Sequence, residues 1–201
     1  MTQINNTDYH KIQGTRTQVN LARAFAGECQ AYVRYEQMVS RAQADGLAEL
    51  SNVFHELAKN ESAHAKVWFA TLTDNLTKKI DNIEIQAGFP FKGGSLLDLV
   101  KYASGDEAEE AERLYPEFAR IAREENLPGI AARFTMVAQV ENCHSKRLMQ
   151  IYDLLSSGTL YRKEKETVFK CAHCGHEASG KEPWKICPIC GHSQGFVMVN
   201  V

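Results

Sequence analysis

The chain has 201 residues, 44% of them hydrophobic and 24% charged, with a formal net charge of -2 at pH 7. That length and balance suit one medium globular domain plus a small module, and the absence of a large basic cluster argues against nucleic-acid binding. No apolar run approaches the roughly 18 residues that span a bilayer, and the first residues lack the apolar core of a secretory signal, so a cytoplasmic, membrane-free protein is expected.

Residues 1–16 are polar and unpatterned and read as a loose N-terminal arm. The spacing predicts a first helix over 17–44, with Leu21, Phe25, Tyr32, Tyr35 and Val39 on its buried side and Glu28 in the slot between Phe25 and Tyr32. Asp45-Gly46 breaks it. A second helix is predicted over 47–75, its apolar stripe of Leu50, Phe54, Leu57, Trp68 and Leu72 interrupted by Glu61 and His64. Residues 76–94 carry Gly88, Pro90, Gly93 and Gly94 and no helical period, as expected of a long connection that crosses a bundle from end to end.

A third helix is predicted from the N-cap Ser95 to about Glu125, with a stripe of Leu96, Val100, Ala103, Leu114, Phe118 and Ile121. Glu107 and Glu110 interrupt that stripe, Glu109 and Glu112 lie off it and should be solvated, and Pro116 should kink the helix. After the turn at Asn126-Leu127-Pro128, a fourth helix runs to about Leu155. Its stripe of Ile130, Phe134, Val137, Leu148, Ile151 and Leu155 contains Glu141 and His144. Cys29 and Cys143 sit inside helical patterns and are expected to be small buried hydrophobes.

The bundle is thus expected over 17–157 and a charged linker over 158–167. From 168 to 201 the helical period is gone, and Cys171, Cys174, Cys187 and Cys190 form two Cys-x-x-Cys knuckles separated by twelve residues. Two such knuckles can place four thiolates tetrahedrally around one metal, and both Fe and Zn accept that set.

On a helix, residues three apart share a face, so Glu141 and His144 point together into the core. A single Glu-x-x-His on an apolar face could be a satisfied hydrogen-bonded pair. Here it occurs twice: a shift of eighty residues carries Glu61 onto Glu141, His64 onto His144, Phe54 onto Phe134 and Leu47 onto Leu127. A duplicated hairpin with inward Glu-x-x-His motifs is how bundles build di-metal carboxylate centres. Glu28, Glu61, His64, Glu107, Glu110, Glu141 and His144 are the expected ligands. The carboxylate-rich set favours Fe or Mn, with Glu61 and Glu141 as bridges.

The chain resembles the rubrerythrin family over essentially its whole length, through Ala24-Phe25-Ala26-Gly27-Glu28, Glu61 to His64, Glu107 with Glu110, Leu114 to Glu125, Glu141 to His144 and the thiolate pairs. The resemblance implies an all-α ferritin-like four-helix bundle with a di-iron centre, joined to a β-rich rubredoxin-like domain with one Fe bound by four Cys. It implies a peroxidase that reduces hydrogen peroxide to water, drawing electrons from rubredoxin or an NAD(P)H-dependent reductase, with Tyr35 and Tyr115 beside the cluster. Glu110, the additional carboxylate, would exchange with His64 as the charge of one iron changes. A homodimer paired head to tail is also implied, because Glu141 lies fourteen residues, about 21 Å along the helix, from the end to which the tail is attached. Two other readings compete: a ferritin-like iron oxidation and storage protein, and a binding module with a structural zinc ribbon.

Overall fold

The structure, a computed structural model, describes residues 9–73, 80–199 and 201. Of the expected N-terminal arm, residues 1–8 lie outside the described residues. The next residues are not loose: α1 (Tyr9–Ile12) is a helical turn that buries Ile12 in the core.

Helix α2 (Arg16–Ala44) starts at Thr15, whose hydroxyl accepts from the Gln18 N–H. Its first turn is also held from far along the chain. The Glu125 carboxylate accepts from the Arg16 N–H at 3.0 Å, the Thr17 N–H at 2.8 Å and the Thr17 hydroxyl at 2.6 Å. The helix ends where Gly46 takes φ +73°, a conformation glycine adopts without strain, and the Leu47 N–H bonds back to the Ala42 carbonyl. Helix α3 (Ala48–Thr73) follows, and the last two residues expected of it, 74 and 75, lie outside the described residues. Of the expected crossover, 76–79 are likewise outside, and 80–94 contain neither helix nor strand.

Helix α4 (Leu96–Glu109) begins with a capping box in which Ser95 and Asp98 satisfy each other's backbone. It continues through a π-turn (Glu110–Leu114) into α5 (Tyr115–Glu124). The expected irregularity is therefore a π-turn just ahead of Pro116. A proline has no N–H for the residue four before it and its ring crowds that carbonyl, and the wider register relieves both. Helix α6 (Pro128–Ser156) completes a bundle of four long rods, with α2 packed on α3 and the bent third rod packed on α6. No helix among the described residues is long and apolar enough to cross a membrane.

Two apolar clusters fill the bundle. One gathers Leu21, Trp68, Phe118 and Phe134; the other gathers Met38, Leu50, Phe54, Leu57, Val100, Leu148 and Ile151. Along every rod the residue number passes from one cluster to the other across a single polar layer: Glu28 on α2, Glu61 on α3, Glu107 on α4 and Glu141 on α6. The seam on α2 runs through Ala31 and Tyr35, so Tyr32, expected to be buried, is 40% exposed at its edge. Cys29 and Cys143 are also exposed, contrary to expectation. Each directly neighbours an inward-facing position, Glu28 or His144, and is therefore turned away from it by helical geometry. Glu109 and Glu112 are solvated, as their positions off the stripe require.

The tail pairs β1 (Thr167–Lys170) with β2 (Glu177–Gly180) in an antiparallel hairpin, and a short 3-10 turn (Gln194–Phe196) follows the second knuckle. That turn packs on the start of α3. A Cβ added at Gly195 would stand 1.8 Å from the Gly46 carbonyl oxygen, so only glycine lets the two backbones meet. Leu160, Tyr161, Val199 and Val201 pack on the second apolar cluster, which fastens the tail to the α2–α3 end of its own bundle.

Candidate metal centres

Four carboxylates lie in the polar layer at 0–3% exposure: Glu28, Glu61, Glu107 and Glu141. An ionised carboxylate in such a place costs several kcal/mol unless its charge is compensated. No lysine or arginine enters the ion pairs of these four among the described residues; their close basic partners are His64 and His144.

The two histidines organise the acids into halves. His64 Nδ1 lies 2.9 Å from Glu141 Oε1, 3.6 Å from Glu28 Oε2 and 3.7 Å from Glu61 Oε2. His144 Nδ1 lies 2.8 Å from Glu141 Oε2, 3.1 Å from Glu61 Oε1 and 3.8 Å from Glu107 Oε2. The donor atoms form two groups, Glu28–Glu61–His64–Glu141 and Glu61–Glu107–Glu141–His144, each within 4.8 Å. Glu61 and Glu141 belong to both and offer a separate oxygen to each. Glu110, on the π-turn, belongs to neither, although it is close enough for the charges of Glu107, Glu28 and Glu141 to act on it.

The remaining oxygens of the two unshared acids are already engaged. The Tyr35 hydroxyl donates to Glu107 Oε1 at 2.5 Å. The Tyr115 hydroxyl and, at 3.0 Å, the Trp68 Nε1–H donate to Glu28 Oε1. Each acid is thereby held with Oε2 facing inward. The eighty-residue shift that relates the Glu-x-x-His motifs also carries Tyr35 onto Tyr115. From Glu28 to Tyr35 is seven residues, whereas from Glu107 to Tyr115 is eight, and the π-turn between them absorbs the extra one. Trp68, Tyr115, Phe118 and Phe134 pack ring on ring at 4.7–6.1 Å and wall off this side from water.

Protonation follows from the crowding. Burial alone would lower the two imidazoles, but the carboxylates around them outweigh it and push both up to about 12. Burial likewise opposes ionisation of Glu61, yet the two imidazoliums and Glu28 hold it down at about 2. Glu28 and Glu107, desolvated and facing the charges of Glu61 and Glu141, rise to about 8. Burial, then the neighbouring carboxylates, raise Glu110 well above its ordinary value. The layer thus holds protons where a cation would otherwise compensate the acids, and a metal entering it must displace them.

The donor set fits a pair of irons. Oxygen and imidazole donors suit that metal, and both oxygens of Glu61 and of Glu141, Oε2 of Glu28 and Glu107, and Nδ1 of both histidines are buried without a well-formed hydrogen bond. Trp68 and Asn60, which contact Glu28 and His144, were not distinguishable in sequence from a core aromatic and a polar residue of a helix face.

In the tail, Cys171, Cys174, Cys187 and Cys190 gather with their sulfurs within 4.8 Å. Gly175 and Gly191, both at φ +75°, turn the chain behind each knuckle, and their N–H groups bond back to Cys171 and Cys187 at 2.8 and 2.9 Å. Burial would raise the Cys187 thiol, but the backbone N–H groups of Cys190 and Ile189 bring it down to about 7. A backbone contact from His176 favours the Cys174 thiolate, yet burial and the crowding thiols carry Cys174 up to about 12. The Cys187 thiolate forms readily whereas that of Cys174 needs a cation, as a four-sulfur metal site requires.

The sequence model of the family described as Rubrerythrin matches residues 20–152 and 98–174. Rubrerythrin of Clostridium perfringens is 38% identical over 189 residues, 94% of this chain and 96% of that protein. Rubrerythrin of Nitratidesulfovibrio vulgaris is 36% identical over 185 residues, 90% of this chain and 92% of the relative. Among solved structures, nigerythrin in a partially reduced state superposes with a TM-score of 0.59 at 21% identity, over 94% of this chain and 91% of that one. The fully reduced, all-ferrous state of nigerythrin does so equally, and both share the fold.

Proposed function

The chain belongs to the rubrerythrin family, with a di-iron site in its bundle and a rubredoxin-like four-cysteine iron site in its tail, and from that premise we propose that it is a peroxidase protecting against oxidative stress. Its substrate is hydrogen peroxide, reduced to water with electrons relayed through the thiolate-bound iron. The observation that carries this reading is the union, in one chain, of a doubly shared carboxylate–histidine layer with a four-thiolate knuckle pair. The roles are Glu28, Glu61, His64, Glu107, Glu141 and His144 as cluster ligands, Glu110 as an exchangeable seventh, and Cys171, Cys174, Cys187 and Cys190 as relay ligands.

When bound, the two irons supply one electron each, which with two protons converts one peroxide to two waters. The protein's own part is positional. Tyr35 and Tyr115 hold Glu107 and Glu28 by one oxygen, and burial, reinforced by those carboxylates, keeps both phenols protonated far above the ordinary tyrosine range. The aromatic wall keeps bulk water from the Glu28 side, where the acids are fully desolvated.

The tail's placement supports a relay between subunits. It rests on Gly46 and the start of α3, and Glu61 lies thirteen residues further along that helix, about 20 Å at 1.5 Å per residue. A head-to-tail homodimer brings the other chain's tail to each cluster, with rubredoxin or an NAD(P)H-dependent reductase as the outside donor and the cytoplasm as the setting.

The decisive experiment mixes anaerobically reduced protein with hydrogen peroxide. The expected result is oxidation of two bundle irons per peroxide consumed, with no dioxygen released. Release of dioxygen, or an unreacted cluster, overturns the reading. Iron uptake that continues to many ions per chain would favour iron storage instead.

A further inference from the structure

His144 Nδ1 faces the carboxylates, and its other nitrogen, Nε2, faces the side-chain amide of Asn60 on α3 at 3.4 Å. The ion-pair contacts of His64 among the described residues all run through Nδ1. The duplication shows where the difference enters. The eighty-residue shift that maps Glu61 onto Glu141 maps Asn60 onto Val140, whose side chain has no hydrogen-bonding atom. The two halves of the centre share Glu61 and Glu141 but not the groups behind their histidines.

We infer that Asn60 is a positioning residue that fixes the ring and tautomer of His144, so that the half-site of Glu61, Glu107, Glu141 and His144 binds its metal more firmly than the half-site of His64. The inference rests on the reading of both histidines as metal ligands. An imidazole that gives its Nδ1 lone pair to a cation must carry its proton on Nε2, and that N–H needs an acceptor. A half-turn of the Asn60 amide presents Oδ1 for this purpose, and the same acceptor serves the Nε2–H of the imidazolium when no metal is bound. Asn60 is adjacent in sequence to Glu61 but about 100° around the helix from it. The amide therefore serves His144 across the bundle without taking an oxygen from the shared acid.

The test titrates full-length metal-free protein with Co(II), whose thiolate charge-transfer bands separate uptake at the four cysteines from uptake in the bundle. For Asn60→Leu the expected result is a loss of about 10–100-fold in affinity at one of the two bundle steps, with the other step and the thiolate site unchanged. Asn60→Asp keeps an acceptor and should retain both steps. If Asn60→Leu fails to fold, judged by far-ultraviolet circular dichroism, Asn60→Ala takes its place with the same expectation. In the Co(II)-loaded native protein, one of the two shifted imidazole N–H protons should exchange slowly with water, and in the Asn60 variants that slow exchange should vanish. Two unchanged steps, equal weakening of both, or a slow proton that survives would each overturn the role of Asn60. A native protein that takes up no Co(II) outside the thiolates would instead overturn the ligand reading beneath it.

Discussion

Glu61 and Glu141 face each other across the bundle, and each gives one carboxylate oxygen to His64 and the other to His144. Neither acid can be assigned to one half of the centre. Removing either damages both halves, whereas removing Glu28 or Glu107 should damage one.

Glu141→Ala should therefore release essentially all iron from the bundle while leaving the thiolate iron in place. Elemental analysis beside the visible absorption of ferric thiolate checks this. A fully loaded bundle would show that Glu141 is not a shared ligand.

Truncation after Ser157 leaves the four rods and removes the proposed relay. Rapid mixing of the reduced, truncated protein with peroxide should still give one round of cluster oxidation, and steady turnover with an external donor should fall to background. Turnover comparable to the full chain would remove the tail from the mechanism.

The proposed cross-subunit path makes a complementation prediction. One variant lacks bundle ligands (Glu61→Ala with Glu141→Ala), and the other lacks Cys171 and Cys174. Mixed dimers, confirmed by mass, should regain a substantial share of turnover that neither parent shows. Silence from confirmed mixed dimers would favour a path within one chain.

Glu125 gives a pH prediction away from the metals. Desolvation works against its ionisation, but hydrogen bonds from Thr17 and Arg16 outweigh it and hold the carboxyl below its ordinary value. A depressed carboxyl stabilises the fold above its unfolded value, about 4.3, and loses that contribution as pH falls through the folded one. Glu125→Ala should cost about 1 kcal/mol at pH 7, as loss of a helix cap does. In thermal melts of metal-free protein, the gap between native and variant should close below about pH 4. A constant gap would mean that the charge of Glu125 is not what caps α2.

Much of this architecture was legible because the duplication repeats it. Glu61 and His64 could each be a satisfied polar residue, but their recurrence at Glu141 and His144 made an inward-facing pair the simpler account. The expectation that Glu61 and Glu141 bridge the two halves rested on the same repeat and on the family resemblance. Less legible were contacts between rods. A stripe of residues cannot say whether Tyr32 or Tyr35 takes the seam, and the structure chose Tyr35 because its hydroxyl reaches Glu107. Pro116 announced a break without its kind, and the kind matters: one extra residue in a π-turn keeps Tyr115 in step with Glu28. Asn60 and Trp68 gave no signal of their own, since each acts through a partner on another helix.

The contact between Gly195 and Gly46 makes the tail a docked part and not a tethered one. Lengthening the linker beyond Tyr161 would then leave the docking almost untouched, because the resting place is set by this contact and by Leu160, Tyr161, Val199 and Val201 on the second apolar cluster, and not by chain length. A single methyl group at position 195 would act where many inserted residues would not, prising the knuckle off the bundle while leaving every metal ligand in place. The chain thus carries a point at which the two metal centres can be moved apart by the smallest possible change.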